Sequence, residues 1–187
     1  TPLSNSATIC SVPSFCEDNV LPPEISIDDM AELVESCSMK QYPTIPVAHG
    51  FCMYVKRSVL NVVGNLNAEV FQRGYGEEND FCFRAEELGF HHVMCDDTFI
   101  YHAGTASFVS QDKKKLIQEH NKYLFSNYPS QMRNVENYCK GNPNHIYVKI
   151  KPYKENVSKD LNKFNTGTKE NDKYDIKKSK ETTLSNP

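Results

Sequence analysis

The sequence predicts an α/β fold, with strand-like and helix-forming segments alternating around one core. Short apolar runs of strand length occur at 7–10, 47–55, 91–94 and 98–101. Stretches with helical spacing, at 26–34, 59–63, 81–88 and 112–128, fall between and after them. Helix and loop breakers separate the segments, notably Pro22-Pro23, Gly64, Gly89 and Pro129. The 187 residues, 39% of them hydrophobic, suit one domain plus a tail.

Residues 1–13 read as an extended segment bracketed by Pro2 and Pro13, with a strand at Ala7-Thr8-Ile9-Cys10. Its polar turn holds Asn5 and Ser6, which are candidate site residues. Ser26 is placed to cap a helix whose apolar positions are Ile27, Met30, Leu33 and Val34. Asp28-Asp29 at its start complements the helix dipole, a simpler explanation than a metal motif. The stretch 42–46 is extended, and 47–55, short and nearly all apolar, reads as a buried strand. A helical turn over 59–63 ends at Gly64. Gly74 and Gly76 then frame a turn that delivers Glu77, Glu78 and Asp80 to the start of a helix stopped by Gly89. A strand at 91–94, a turn at Cys95-Asp96-Asp97 and a strand at 98–101 lead to His102. The last helix, about 112–128, is closed by Pro129. The folded part is therefore expected over 1–130, a weakly structured extension over 131–148, and a Lys-rich disordered tail over 149–187.

Charge is distributed unevenly. Residues 149–187 hold 10 Lys and 6 acidic residues, which leaves 11 basic and 18 acidic residues in 1–148. An acidic folded part argues against nucleic acid as a partner and suits divalent cations. The seven cysteines are odd in number and none has CxxC spacing, which argues against a closed structural zinc site and points to a reducing, cytoplasmic setting. No apolar run approaches the ~18 residues that a membrane-spanning helix needs. The chain starts at Thr1 in structured-looking sequence and is expected to be a piece of something longer.

Taken alone, Glu77, Glu78 and Asp80 allow three readings. The first is a charged helix start, with Asp80 paired to Arg84 at i,i+4 spacing. The second is a general base that takes a proton from a hydroxyl nucleophile. The third is oxygen ligation of a metal. Spacing does not decide among them, and a histidine at a strand end, as His102 is, is more often a hydrogen-bonded structural residue than a ligand.

The order of the motifs goes further. Gly50-Phe51-Cys52-Met53-Tyr54-Val55-Lys56-Arg57 precedes Gly74-Tyr75-Gly76-Glu77-Glu78-Asn79-Asp80-Phe81-Cys82-Phe83-Arg84-Ala85, and Gly89-Phe90, Tyr101-His102 and Ser107-Phe108 follow. Over about residues 1–128 this resembles the second half of a family 2 glycosyltransferase of the GT-A fold. It is most similar to bacterial members that build surface polysaccharides, including rhamnosyl- and galactosyltransferases. The resemblance implies the C-terminal portion of that fold, a mixed sheet with flanking helices, without the N-terminal nucleotide-binding half. It also implies inverting transfer of a sugar from a nucleotide-sugar donor to an acceptor hydroxyl.

By this resemblance the catalytic carboxylates fall on Glu77 and Glu78, with Asp80 two residues on. Glu78 takes the base position, where the family's usual residue is Asp, so Asp80 is the competing choice. His102 takes the place of a metal-ligand histidine, which would join other carboxylates in holding Mn²⁺ or Mg²⁺ against the diphosphate. Asn5, Gly76 and Arg84 are the expected substrate-binding positions, with a structural role as the alternative for Arg84. His49, His91 and His92 are assigned to the scaffold. The family's Asp-x-Asp metal motif does not occur in the sequence, and the isolated chain is expected to turn over no nucleotide sugar. The implied acceptor is a glycan or lipid-linked sugar at the inner face of a membrane; the Lys-rich tail offers charge for peripheral association with anionic lipid, but its six acidic residues favour a simple solvated tail. The alternative is a non-catalytic fragment or binding module whose acidic turn recognises a glycan or a partner.

Overall fold

A computed structural model describes residues 1–72, 74–104 and 110–141. The chain is a mixed α/β fold in which two small sheets are surrounded by five α-helices among these residues. The single mixed sheet expected from the sequence is instead two pairs of strands. β1 (Pro2–Leu3) runs parallel to β4 (Cys95–Phe99), with Pro2 opposite Cys95 and Leu3 opposite Phe99 across an irregularity. β2 (Thr44–Ile45) is antiparallel to β3 (His92–Val93). The ammonium group of Thr1 donates to the Val93 carbonyl at 2.9 Å and so bridges the start of one pair to the other.

α1 (Ile27–Cys37) begins where its sequence dictates. The Asp29 N–H donates to Ser26 Oγ at 3.0 Å and the Ser26 N–H donates back to Asp29 Oδ2 at 2.9 Å, a complete capping box. Met30 and Val34 turn inward and α1 packs on β4. α2 (Arg57–Val63) ends at Gly64, whose φ of 85° lies in the left-handed region that glycine tolerates. α3 (Glu77–Glu87) starts at Gly76 and buries Asp80, Phe81, Cys82, Phe83 and Ala85. α4 (Ser110–Asn127) contributes the fully buried Leu124 to the core formed with Leu3, Ile9, Val12, Phe83 and Met94.

Several elements differ from the sequence reading. Residues 7–10 form a 3₁₀ turn (Thr8–Cys10) rather than a strand. The run 47–55 is buried at Val47 and Ala48 but is not a strand. Its backbone groups find partners in remote side chains: the Ala48 N–H lies 3.3 Å from Cys82 Sγ, and the Thr1 hydroxyl reaches the Cys52 carbonyl at 2.8 Å. The expected turn at 95–97 is the first part of β4, because the buried Asp96 carboxylate accepts from the backbone N–H groups of Gln41 and Tyr42 at 3.2 and 3.1 Å. Pro129 closes α4 and is also the first residue of α5 (Pro129–Gly141), where its missing N–H costs nothing. The extension expected to be weakly structured is thus helical to Gly141, and Met132 is buried. Ser107-Phe108, residues 142–148 and the 149–187 tail lie outside the described residues. Among the described residues no helix is long and apolar enough to cross a membrane.

Candidate active site

A cavity of about 560 Å³ opens between the N-terminal segment, the start of α3, the strand end after β4 and α4. Asn5, Gly76, Glu78 and His102, four of the residues singled out from the sequence, line it. His49 lines it as well.

The chain positions His102 through Asn5. The Asn5 side chain behaves as a length of strand: its Oδ1 accepts the His102 N–H at 2.7 Å and its Nδ2 donates to the His102 carbonyl at 3.0 Å. Asn19 anchors Asn5 in turn, donating from its backbone N–H to the Asn5 carbonyl at 2.8 Å and from its side chain at 3.1 Å. The side-chain amide of Asn5 is thereby committed to holding His102. His102 Nδ1 lies 2.6 Å from the Ser6 carbonyl. A carbonyl only accepts, so Nδ1 carries a proton. The imidazole stacks on Phe51, with ring centroids 5.2 Å apart and planes 25° from parallel.

Three carboxylates at the start of α3 have three different fates. Glu78 folds back so that its Oε2 accepts the Gly76 N–H at 3.1 Å, satisfying one of the free donors of the helix start. Gly50 packs beside it, and a Cβ at position 50 would sit 3.5 Å from the Glu78 side chain, an ordinary van der Waals contact. Glu77 Oε2 is buried and has no hydrogen-bond partner among the described residues. Burial pushes the Glu77 carboxyl above its usual range, its own backbone N–H opposes this, and the Glu78 charge adds to the rise. Asp80 is 1% exposed and points into the core, where it accepts from Arg84 Nε at 2.9 Å and from the Tyr128 hydroxyl at 3.0 Å. The other Arg84 nitrogens donate to the carbonyls of Val63 at 2.7 Å and Asn65 at 2.9 Å. Asp80 and Arg84, expected as alternative base and substrate contact, do not line the cavity. They tie α3 to the end of α2. The i,i+4 ion pair recognised in the sequence accounts for both.

His49 was assigned to the scaffold, but its ring lies 6.5 Å from that of His102. Burial lowers its pKa to about 4, with the neighbouring His102 adding to the effect, so the imidazole is neutral near pH 7. The signal available in the sequence was the histidine itself, followed by a glycine inside an otherwise apolar run.

A divalent cation needs more ligands than this cavity displays. His102 is suited to be one, because the Ser6 carbonyl fixes its tautomer in the manner of metal-binding imidazoles. Among the described residues, however, no three His, Cys, Asp or Glu side chains converge as a metal group. The described residues therefore do not make a complete metal site. Comparison of the chain with protein-family models, curated proteins and solved structures returned no match.

Proposed function

We propose that this cavity is the acceptor side of an inverting glycosyltransferase site. In this reading an acceptor hydroxyl enters beside Glu78, which removes its proton as the new C–O bond to the donor sugar forms. The observation that supports it is the convergence of Glu78 and His102, 24 positions apart in the sequence, on one cavity large enough for a sugar ring. The exposed mouth, the capped carboxylate and the neutral His49 give a polar pocket with an acceptor and a donor of hydrogen bonds, which suits a polyhydroxylated ligand. Glu78 is preferred to Asp80 as the base because Asp80 spends both oxygens on Arg84 and Tyr128.

The donor's nucleotide is assigned to residues outside this sequence, and among the described residues His102 is the ligand suited to Mn²⁺ or Mg²⁺. The acceptor class, a glycan or lipid-linked sugar at the inner face of a membrane, belongs to the same proposal. The test joins these residues to a nucleotide-binding half and assays a panel of nucleotide sugars. Glu78→Gln should lower kcat by about 10²-fold or more with KM little changed, the usual contribution of a general base. Full activity in that variant rejects the assignment. Turnover of a nucleotide sugar by the isolated 187-residue chain would show that the donor site is not elsewhere.

A further inference from the structure

We propose that Cys16 and Cys139 are a redox-responsive pair, which closes to a disulfide on exposure to a disulfide oxidant such as oxidised glutathione and fastens the cavity wall to α5. Cys16 lies in the loop between the 3₁₀ turn and α1, and its N–H donates to the Thr8 carbonyl at 3.1 Å, which folds the loop back on that turn. α5 packs against the same turn. The preceding residues meet across the junction: the rings of Phe15 and Tyr138 lie 6.2 Å apart, tilted by 51°. Both cysteines are half-buried at the edge of the core, and both are free thiols. The Cys139 thiol is, after burial, the next influence holding the Cys16 thiol up at about 12.

The loop is continuous with the cavity. Asp18, Asn19 and Val20 line it, and Asn19 carries the link through Asn5 to His102. A bond between Cys16 and Cys139 would therefore fix, relative to α5, the segment that orients His102.

The chemistry balances by exchange. The Cys139 sulfur attacks oxidised glutathione and expels one glutathione thiolate. The Cys16 sulfur then attacks Cys139 in the mixed disulfide and expels the second. Two protein thiols are oxidised, one glutathione disulfide is reduced, and the two protons end on the departing thiols. Forming the mixed disulfide also removes the Cys139 thiol from beside Cys16, and with it two of the causes that keep Cys16 protonated. In a reducing glutathione pool the pair stays open. Cys10 is the competing partner, but it is fully buried and its thiol is also pushed up to about 12, chiefly by burial.

The experiment incubates the whole chain with oxidised glutathione at pH 8, counts remaining thiols and maps non-reduced peptides by mass spectrometry. The expected result is loss of two thiols, a Cys16–Cys139 linked peptide and a rise in Tm of about 5 °C or more, reversed by dithiothreitol. Cys139→Ser and Cys16→Ser should each abolish the linked peptide and the rise. A linkage through Cys10, a scrambled mixture, or no loss of thiols from the folded protein overturns the proposal. The wild-type peptide map decides this even if a serine variant folds poorly.

Discussion

Replacing Arg84 with alanine tests whether Asp80 belongs to the scaffold. The substitution leaves a carboxylate that is 1% exposed with only the Tyr128 hydroxyl as a partner. Stranding a buried charge costs about 3–5 kcal/mol. The Arg84 side chain is 26% exposed, so water can enter the vacated space, and about 3 kcal/mol is the better figure. The carbonyls of Val63 and Asn65 lose their donors too, which adds roughly 0.5–1 kcal/mol because Asn65 faces solvent. The expected loss is therefore about 3–4 kcal/mol, a large part of the 5–15 kcal/mol typical of a domain. Urea unfolding followed by circular dichroism should show a lower midpoint at unchanged m. A double-mutant cycle with Asp80→Ala should return a coupling of at least about 1.5 kcal/mol. A loss below about 1 kcal/mol, the size of an ordinary surface pair, would refute the reasoning and return Asp80 to the list of candidate bases.

Two further substitutions probe the cavity wall. Gly76 has φ 109°, and a Cβ there would lie 3.1 Å from Phe71 Cε1 and 3.2 Å from Leu124 Cδ1. Gly76→Ala should therefore cost about 2–3 kcal/mol through strain and overpacking together, and an unchanged Tm would contradict this. His49 predicts a pH dependence whose sign is fixed: its folded pKa, about 4, lies below the ordinary value of 6.5. The unfolded chain takes up the proton first, so stability is fully present above pH 6.5 and is lost as pH falls toward 4, by up to about 3 kcal/mol. His92, lowered chiefly by burial, acts in the same direction. In chelator-treated buffer His49→Gln should flatten the profile between pH 4 and 6.5, and an unaltered slope would count against the buried neutral imidazole.

Legibility in the sequence followed the range of the interactions. α1 could be read because its start is set by Ser26 and Asp29, three residues apart. The Asp80–Arg84 pair could be read for the same reason, one helical turn apart. The run 47–55 could not, because an apolar segment of that length is ambiguous and its backbone is satisfied by Thr1 and Cys82. β4 was truncated in the reading because Asp96 looks like a turn residue until its partners, Gln41 and Tyr42, are brought to it. His49 was missed on the same ground: only the fold places it beside His102.

The start of α3 explains how one acidic turn can serve both scaffold and site. Successive helical residues are rotated by about 100°, so Glu78 and Asp80, two residues apart, point to roughly opposite sides of the helix. Asp80 takes the core face, together with Arg84 four residues on, and through it α3 is bound to Val63, Asn65 and Tyr128. Tyr128 is the single residue between α4 and α5. The carboxylate that fixes the helix is thus anchored at the end of α2 and at the junction of the last two helices. Glu78, two residues earlier, inherits that rigidity and presents its own carboxylate to the cavity from a frame it does not have to maintain. On the proposed reading of Glu78 as a general base, which must be held within hydrogen-bond reach of the proton it removes, the neighbouring ion pair would supply the holding.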